Sequence, residues 1–249
     1  MSPQDAIDFV SNDIAEVGTL MRSLSSRYEG IFSNFRAACG VVCERAASLA
    51  DAARDVTALA DAAAAGIRRD IPNQPALACS GGCAACCHLY VQVPPGIAPM
   101  MAGHIAAHVA PAERSALQER LQIAADAARK AVDVTKLRHR CPLLGADDRC
   151  TVYEVRPLSC RAFTSRAVSR CQDVVFGDVP DGAGVAQSAA HYRIHMEATA
   201  ALEQAARQRG LPAQQQGLAD ALLKAMSAIS VETTHGLAHS PGASTGLRE

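Results

Sequence analysis

The sequence predicts a mainly α protein, in which a helical body surrounds an irregular, loop-rich, cysteine-containing region with at most a few short strands. Apolar residues make up 49% of the 249 residues, yet aromatic residues are only 4% and Trp is absent. Small apolar side chains suit close helix packing. Apolar residues also recur at three- and four-residue steps over long stretches, whereas residues 139–183 contain repeated Gly, Pro and Asp, which predicts turns.

Residues 1–70 are predicted to form an N-terminal helical segment. A second stretch over 36–69 is alanine-rich and stops near Pro72, so the segment is either a helical hairpin or one interrupted helix. The first stretch, over 2–36, is amphipathic. Its apolar positions are Ile7, Val10, Ile14, Val17, Met21, Leu24, Tyr28 and Ile31.

Residues 71–183 are predicted to form the cysteine-containing domain. Between Asp70 and Glu113 there is no Asp, Glu, Lys or Arg, so we expect this window to lie inside the protein. The elements expected in this domain are a short strand at 89–93, a helix from near Ala98, a helix over 111–134 and turns over 139–183.

Residues 184–231 are predicted to be C-terminal helices that pack on the body. The helical pattern covers 185–209 and 214–230, with Gly210 and Pro212 between them. Residues 232–249, rich in Gly, Ser and His, are expected to be a disordered tail.

Net charge and the N-terminal sequence exclude several classes of protein. The formal net charge of −1 excludes the basic field of a dedicated nucleic-acid binder. The N-terminus does not resemble a secretory signal, and no apolar run approaches a membrane span, so we expect a soluble cytoplasmic protein. Thiols are kept reduced in that compartment, which makes the ten cysteines candidate metal ligands rather than disulfide partners.

Four cysteines fall within nine residues, in the pattern C-x3-C-x2-C-C. They are Cys79, Cys83, Cys86 and Cys87. Gly81 and Gly82 allow the loop to fold tightly enough for backbone amides to point at sulfur. The adjacent pair at the end of the motif is expected to have diverging side chains that serve different metals or different sides of one cluster.

Four further cysteines are spaced by eight to ten residues in the turn-rich segment. They are Cys141, Cys150, Cys160 and Cys171. The spacings between these cysteines are too wide for a single short metal-binding turn. Each loop can, however, supply one sulfur ligand to a metal centre that begins at the first motif. The predicted metal ligands are therefore these eight cysteines, and which of them share a metal is left open.

Arginines accompany the second cysteine group. Seven arginines and only three acids lie between Arg138 and Cys171. Two Zn²⁺ ions held by eight thiolates carry a formal charge of −4, which cations must offset. We expect Arg156 and Arg161 to support the metal ligands, and Arg138 and Arg166 to lie on the solvated surface.

These motifs resemble the YkgJ-type cysteine-cluster proteins, a family with a zinc- or iron-chelating domain. The resemblance covers Cys79 to Cys171. It is carried by the first cysteine motif, the Cys141-Pro142-Leu143-Leu144 opening, Cys150 with Tyr153, Glu154, Arg156 and Pro157, and Cys160-Arg161 with Phe163. The resemblance implies a ligand set more than a reaction, since one branch of the family resembles flagellin lysine N-methylases.

Several other residues have simpler interpretations. Cys39 and Cys43 are expected to be buried as small hydrophobic side chains. His88 could replace a sulfur but is left as an outer contact, because eight thiols already suffice for two tetrahedral sites. His191 and His195 have no carboxylate partner nearby in sequence, so they are expected to be packing or surface residues.

Two Zn²⁺ ions at four sulfurs each use all eight cysteines, whereas one [4Fe–4S] cluster uses four, so the count favours zinc over iron. The first hypothesis is a metal-binding protein with a structural or protein-interaction role. The alternatives are an iron–sulfur redox protein and a protein-modifying enzyme. The radical-SAM spacing over Cys79–Cys86 is disfavoured because no alternation of strands and helices surrounds it. The expected partner is a protein, and the oligomeric state is left open.

Overall fold

The computed structural model describes residues 3–71, 73–180 and 182–237, and it confirms a mainly α protein. The helices are α1 (Pro3–Arg45), α2 (Leu49–Asp70), α3 (Ile97–His108), α4 (Pro111–Lys130), α5 (Leu158–Ala162), α6 (Val168–Phe176), α7 (Ala189–Gln208) and α8 (Leu218–Leu237). Short 3-10 helices lie at Ala85–His88 and Tyr153–Val155. Strands β1 (Gln92–Val93) and β2 (Gln216–Gly217) pair antiparallel.

Helices α1 and α2 form a hairpin, which is one of the two arrangements that the sequence left open. Helix α1 continues to Arg45, beyond the predicted break near residue 36, and the chain reverses between Arg45 and Leu49. The turn ends at Ser48, whose side chain accepts a hydrogen bond of 3.1 Å from the backbone N–H of Asp51. This N-cap satisfies one of the first free amides of α2.

The main core lies where the second half of α1 meets α2 and α7. Alanines on α2 allow the helix axes to approach closely, so that larger side chains of the neighbouring helices fill the remaining space. Fully buried members of this core are Phe32, Cys39, Ala52, Ala53, Val56, Ala60, Ile194, Ala198 and Leu202.

Helix α3 packs on the other side of α2, α8 packs on α3, and α4 packs on α8, so that the three helices extend the same core. Ile97, Met101 and Ile105 of α3 and Leu222 of α8 are fully buried there. The β1–β2 pair, with Gln92 opposite Gly217, ties the segment after the first cysteine motif to the beginning of α8. The body thus holds both ends of the cysteine region.

Several predicted boundaries were wrong. Helix α4 ends at Lys130 rather than near residue 134, and α8 begins at Leu218 because residues 216–217 form β2. Helix α8 also continues to Leu237, so the predicted tail is helical over 232–237. Residues 238–249 lie outside the described residues.

Two expectations about the cysteine region also need correction. The charge-free window is buried at α3, but Cys79 is exposed, because its loop lies at the surface. The segment 139–183 is not entirely irregular, since α5 carries Cys160 and α6 carries Cys171. None of the helices in the described part of the chain is both long enough and apolar enough to cross a membrane.

Candidate metal centre

The first cysteine motif forms a turn followed by one 3-10 helix. Gly82 has φ +86°, a left-handed conformation that glycine adopts without strain. The helix Ala85–His88 carries Cys86 and Cys87. The side chain of Cys87 is the largest cause that raises the pKa of Cys86, followed by burial.

A hairpin brings Cys141 and Cys150 together. The backbone N–H of Gly145 donates to the carbonyl of Arg149 at 2.8 Å, and that of Thr151 donates to the carbonyl of Leu143 at 2.9 Å. These bonds close the loop between the two cysteines, which explains how a gap of eight residues becomes a short distance in space.

The hairpin is joined to the first motif by backbone hydrogen bonds. The N–H of Cys141 donates to the carbonyl of Cys87 at 2.8 Å, and the N–H of His139 donates to that of His88 at 3.0 Å. Two segments separated by about fifty residues of sequence therefore run side by side at the cysteines.

Cys160, on α5, lies near the sulfurs of Cys86, Cys141 and Cys150. Burial raises the pKa of Cys160, and thiolates at Cys141, Cys86 and Cys150 raise it further. Burial likewise raises the pKa of Cys141 to about 11, with added repulsion from Cys150 and Cys86. We call Cys86, Cys141, Cys150 and Cys160 the inner group.

A second group lies beside α6. Cys171 is buried in a small apolar cluster with Ala85 and Val175, separate from the main core. Burial raises the pKa of Cys83, and thiolates at Cys86, Cys171 and Cys79 raise it further. We call Cys79, Cys83 and Cys171 the outer group.

Backbone amides point at several of these sulfurs. The N–H of Ser165 donates to the sulfur of Cys79 at 3.3 Å. Burial raises the pKa values of Cys83, Cys141 and Cys150, while the amide two residues further along opposes that rise in each case. Those amides belong to Ala85, Leu143 and Val152. Amides in this position stabilise thiolate charge, the state that binds metal.

Arg156 faces the inner group, as the sequence analysis expected. Its positive charge lowers the pKa values of Cys86, Cys150 and Cys160 against larger opposing effects. The guanidinium carbon lies 4.2 Å from the ring centroid of Tyr153. Within the described residues, its buried Nε has no hydrogen-bond partner. A negatively charged sulfur centre would offset both the charge and the unsatisfied donor.

Arg161 has a different role from the one expected. Its Nε donates to the carbonyl of Arg156 at 2.9 Å, and its two terminal nitrogens bind the carbonyl of Glu154 and the carboxylate of Asp61. The side chain is only 8% exposed. Arg161 therefore anchors the cysteine loop to α2 rather than donating to sulfur.

His191 and His195 extend this contact as buried packing residues, one of the two alternatives expected, and His195 also lies near a carboxylate that is distant in sequence. Nε2 of His195 lies 3.7 Å from the carboxylate of Asp61. Nε2 of His191 lies 2.8 Å from the carbonyl oxygen of Arg161. Both rings are buried. No sequence pattern pointed to Asp61, because it lies one hundred positions before Arg161 on a helix without other site residues.

The remaining candidates behave as packing or surface residues. Cys39 and Cys43 are buried in the main core, and burial raises the pKa of Cys39 to about 12. Nδ1 of His88 lies 3.2 Å from the carbonyl of Ala84, and its ring packs edge-on against Phe176. Exposed arginines, as expected, are Arg138 and Arg166.

All ten cysteines are free thiols, so the soft donors that zinc and iron prefer are present. Over residues 3–71, 73–180 and 182–237, however, no three Cys, His, Asp or Glu side chains are already arranged to hold a metal ion. The donor set fits a metal through its chemistry, the amides at sulfur and the unsatisfied Nε of Arg156. Closing a site requires the thiols to move together.

Comparison with known families supports a metal site in this region. The family model CxxCxxCC, described as a "Putative zinc- or iron-chelating domain", matches residues 78–179. The match indicates a zinc- or iron-chelating function for this part of the chain. Neither a curated protein nor a solved structure matches the chain, so the more specific resemblance to YkgJ-type proteins stays a prediction.

Proposed function

We propose that the cysteine region binds two Zn²⁺ ions, each through four thiolates, and serves a structural or protein-interaction role. The observation that carries the proposal is the division of the sulfurs into an inner and an outer group. Cys87 is the eighth ligand and joins the outer group, because the inner group already has four sulfurs. The two sites are Cys86, Cys141, Cys150 and Cys160, and Cys79, Cys83, Cys87 and Cys171.

Zinc accounts for all eight cysteines, whereas one four-iron cluster would leave four of them without a ligand role. The charge of the surroundings also supports thiolate ligation. Arg156 lies against the inner group with an unpaired Nε, and its charge favours the deprotonated state of three cysteines there.

A site closed by four thiolates has no open position for a substrate or water, which favours a structural role over catalysis. When bound, the metal supplies a cross-link between segments that are far apart in sequence. In the inner site it would tie the 3-10 helix Ala85–His88 to the hairpin and to α5. In the outer site it would tie the first motif to α6, where the apolar cluster is small.

Metal analysis of the purified full chain and of three single variants tests this assignment. We expect two zinc ions in the unaltered protein, and one each in Cys141→Ser and Cys171→Ser, because each variant loses one ligand of a different site. The control Cys39→Ser should retain two, because Cys39 is fully buried in the main core. Circular dichroism would confirm that each variant retains its helices.

Three results would contradict the proposal in different ways. Stoichiometric iron with labile sulfide in protein purified without oxygen would show that zinc is the wrong metal. Equal metal content in Cys141→Ser, Cys171→Ser and the unaltered protein would show that the ligand assignment is wrong. A metal-free folded protein with every thiol free would contradict metal binding itself.

A further inference from the structure

Helix α1 extends well beyond the body of the protein. Its 43 residues span about 65 Å, whereas α2 and α7, which pack against it, have 22 and 20 residues and span about 30 Å. The first buried side chain on α1 is that of Phe32. In the part of the chain that the structure describes, no other helix therefore buries the N-terminal half of α1.

This projecting half presents a regular apolar stripe to solvent. The intervals between its apolar residues alternate strictly between three and four, which is the a and d pattern of a coiled coil over four heptads. The first six members are between 51% and 67% exposed. They are Ile7, Val10, Ile14, Val17, Met21 and Leu24.

Further along α1, the side that faces the body lies beside this stripe rather than along it. Tyr28 packs edge-on against Phe32 with ring centroids 5.2 Å apart, and Phe35, the next a position, is 6% exposed against the body. Phe32 and Cys39, at e positions, are fully buried, whereas the d positions Ile31 and Ala38 are exposed. The stripe over residues 7–31 is therefore not covered by the core of the described chain and is left for another helix.

Residues flanking the seam indicate what that helix is. One edge, the g positions, carries Asp13, Leu20 and Arg27. The other edge, the e positions, carries only the small residues Ser11, Gly18 and Ser25. Neither Asp13 nor Arg27 has an ion pair within the described part of the chain.

The direction of pairing follows from these edges. In a parallel pair of identical helices, g residues face e residues, so both charges would face Ser or Gly. In an antiparallel pair, like edges meet, and Asp13 of each copy faces Arg27 of the other. The small residues on the opposite edge would let the two backbones approach closely.

We propose that two copies of this chain associate through an antiparallel coiled coil formed by residues 7–31 of α1. The two Asp13–Arg27 pairs set the direction and register of the dimer. The a and d side chains supply most of the binding free energy by burying their exposed apolar surface. This association is independent of metal binding, since it uses no cysteine.

Sedimentation equilibrium of the full chain at low ionic strength tests the proposal by charge reversal. We expect a dimer for the unaltered protein. Asp13→Arg alone, or Arg27→Asp alone, should weaken dimerisation about tenfold, because two attractive contacts become repulsive. The double variant D13R/R27D should return to within about twofold of the original dissociation constant. Glu16→Arg, an identical charge change outside the seam, is the matched control.

A monomer at every concentration would overturn the proposal and would leave the seam for a different protein. Equal effects of D13R and E16R, or no recovery in the double variant, would overturn the antiparallel register. Helix content measured by circular dichroism should be the same in all four variants, because every altered side chain is exposed.

Discussion

His191 connects α7 to the cysteine loops through both of its ring nitrogens. Its Nδ1 lies 3.0 Å from a terminal nitrogen of Arg68, which can only donate, so Nδ1 accepts. Its Nε2 therefore carries the proton and donates to the carbonyl of Arg161. The neutral ring satisfies both partners, and protonation at Nδ1 would replace the bond from Arg68 by repulsion.

The pKa of His191 is lowered from 6.5 mainly by burial, which outweighs the opposing effect of the Arg161 carbonyl, while His195 and Arg68 lower it further and Asp61 raises it. Below pH 6.5 the unfolded chain takes up a proton that the folded chain does not. The free energy of unfolding should therefore decrease as the pH is lowered below 6.5, by at most about 1.4 kcal/mol per pH unit, until the pH reaches the pKa of the folded state.

Urea unfolding at pH 7.5 and pH 5.5 checks this prediction. His191→Gln should show a smaller loss of stability between the two pH values than the unaltered protein, whereas His108→Gln, at an exposed position of α3, should show the same loss. The contribution of the cysteines to pH dependence is common to all three proteins and cancels in the comparison. An unchanged pH dependence in His191→Gln would refute the assignment.

At the scale of the elements, the beginning of α3 lies directly against the beginning of α2. Gly96 precedes α3 with φ +88°, and a Cβ at this position would lie 2.2 Å from the carbonyl oxygen of Leu49. Both the backbone conformation and the contact require glycine. The chain passes from the first cysteine motif into α3. The contact at Gly96 therefore determines the distance between this part of the chain and the N-terminal hairpin.

Gly96→Ala is expected to lower the free energy of unfolding by about 2–4 kcal/mol, through backbone strain and displacement of α2. Gly103→Ala provides the matched control, since a Cβ there meets no atom within 4 Å on an exposed position of α3. That control should raise stability by about 0.5–1 kcal/mol, because alanine favours the helix. If chemical denaturation gave the same change in the free energy of unfolding for Gly96→Ala and Gly103→Ala, the contact between α2 and α3 would not be tight.

The helices could be predicted because their signal is local. Apolar residues at three- and four-residue steps determine a helix wherever the buried face is continuous, as on α2 and α7. The contact between Asp61 and Arg161 could not be predicted, because its members belong to separate elements with no common pattern. The division of the cysteines was also inaccessible, since it depends on how the hairpin at Cys141 and the helix α6 fold back on the first motif.

For the whole molecule, the important contrast is between the large core of α1, α2 and α7 and the small cluster around Cys171. The body buries many apolar side chains, whereas the cysteine loops contribute few. Metal binding should therefore matter much more for the folding of the loops than for the helical body.

Chelator treatment followed by hydrogen exchange tests this difference. Amides in residues 139–175 should lose most of their protection when the metal is removed, while those of α2 and α7 should keep theirs. The unaltered protein with metal restored is the control. Unchanged protection in 139–175 after complete metal removal would mean that packing alone holds the loops.

The anchor formed by Arg161 has a consequence for signalling. Its guanidinium is buried, but its partner Asp61 is 47% exposed on α2, so one ion pair leads from the residue beside Cys160 to the protein surface. Coupling free energies between two binding sites are reciprocal. A ligand that engages Asp61 and competes for Arg161 would weaken metal retention, and loss of metal would change the affinity of that ligand by the same factor. With metal bound as proposed, Asp61 would be the exposed group through which the centre is linked to the surface of α2.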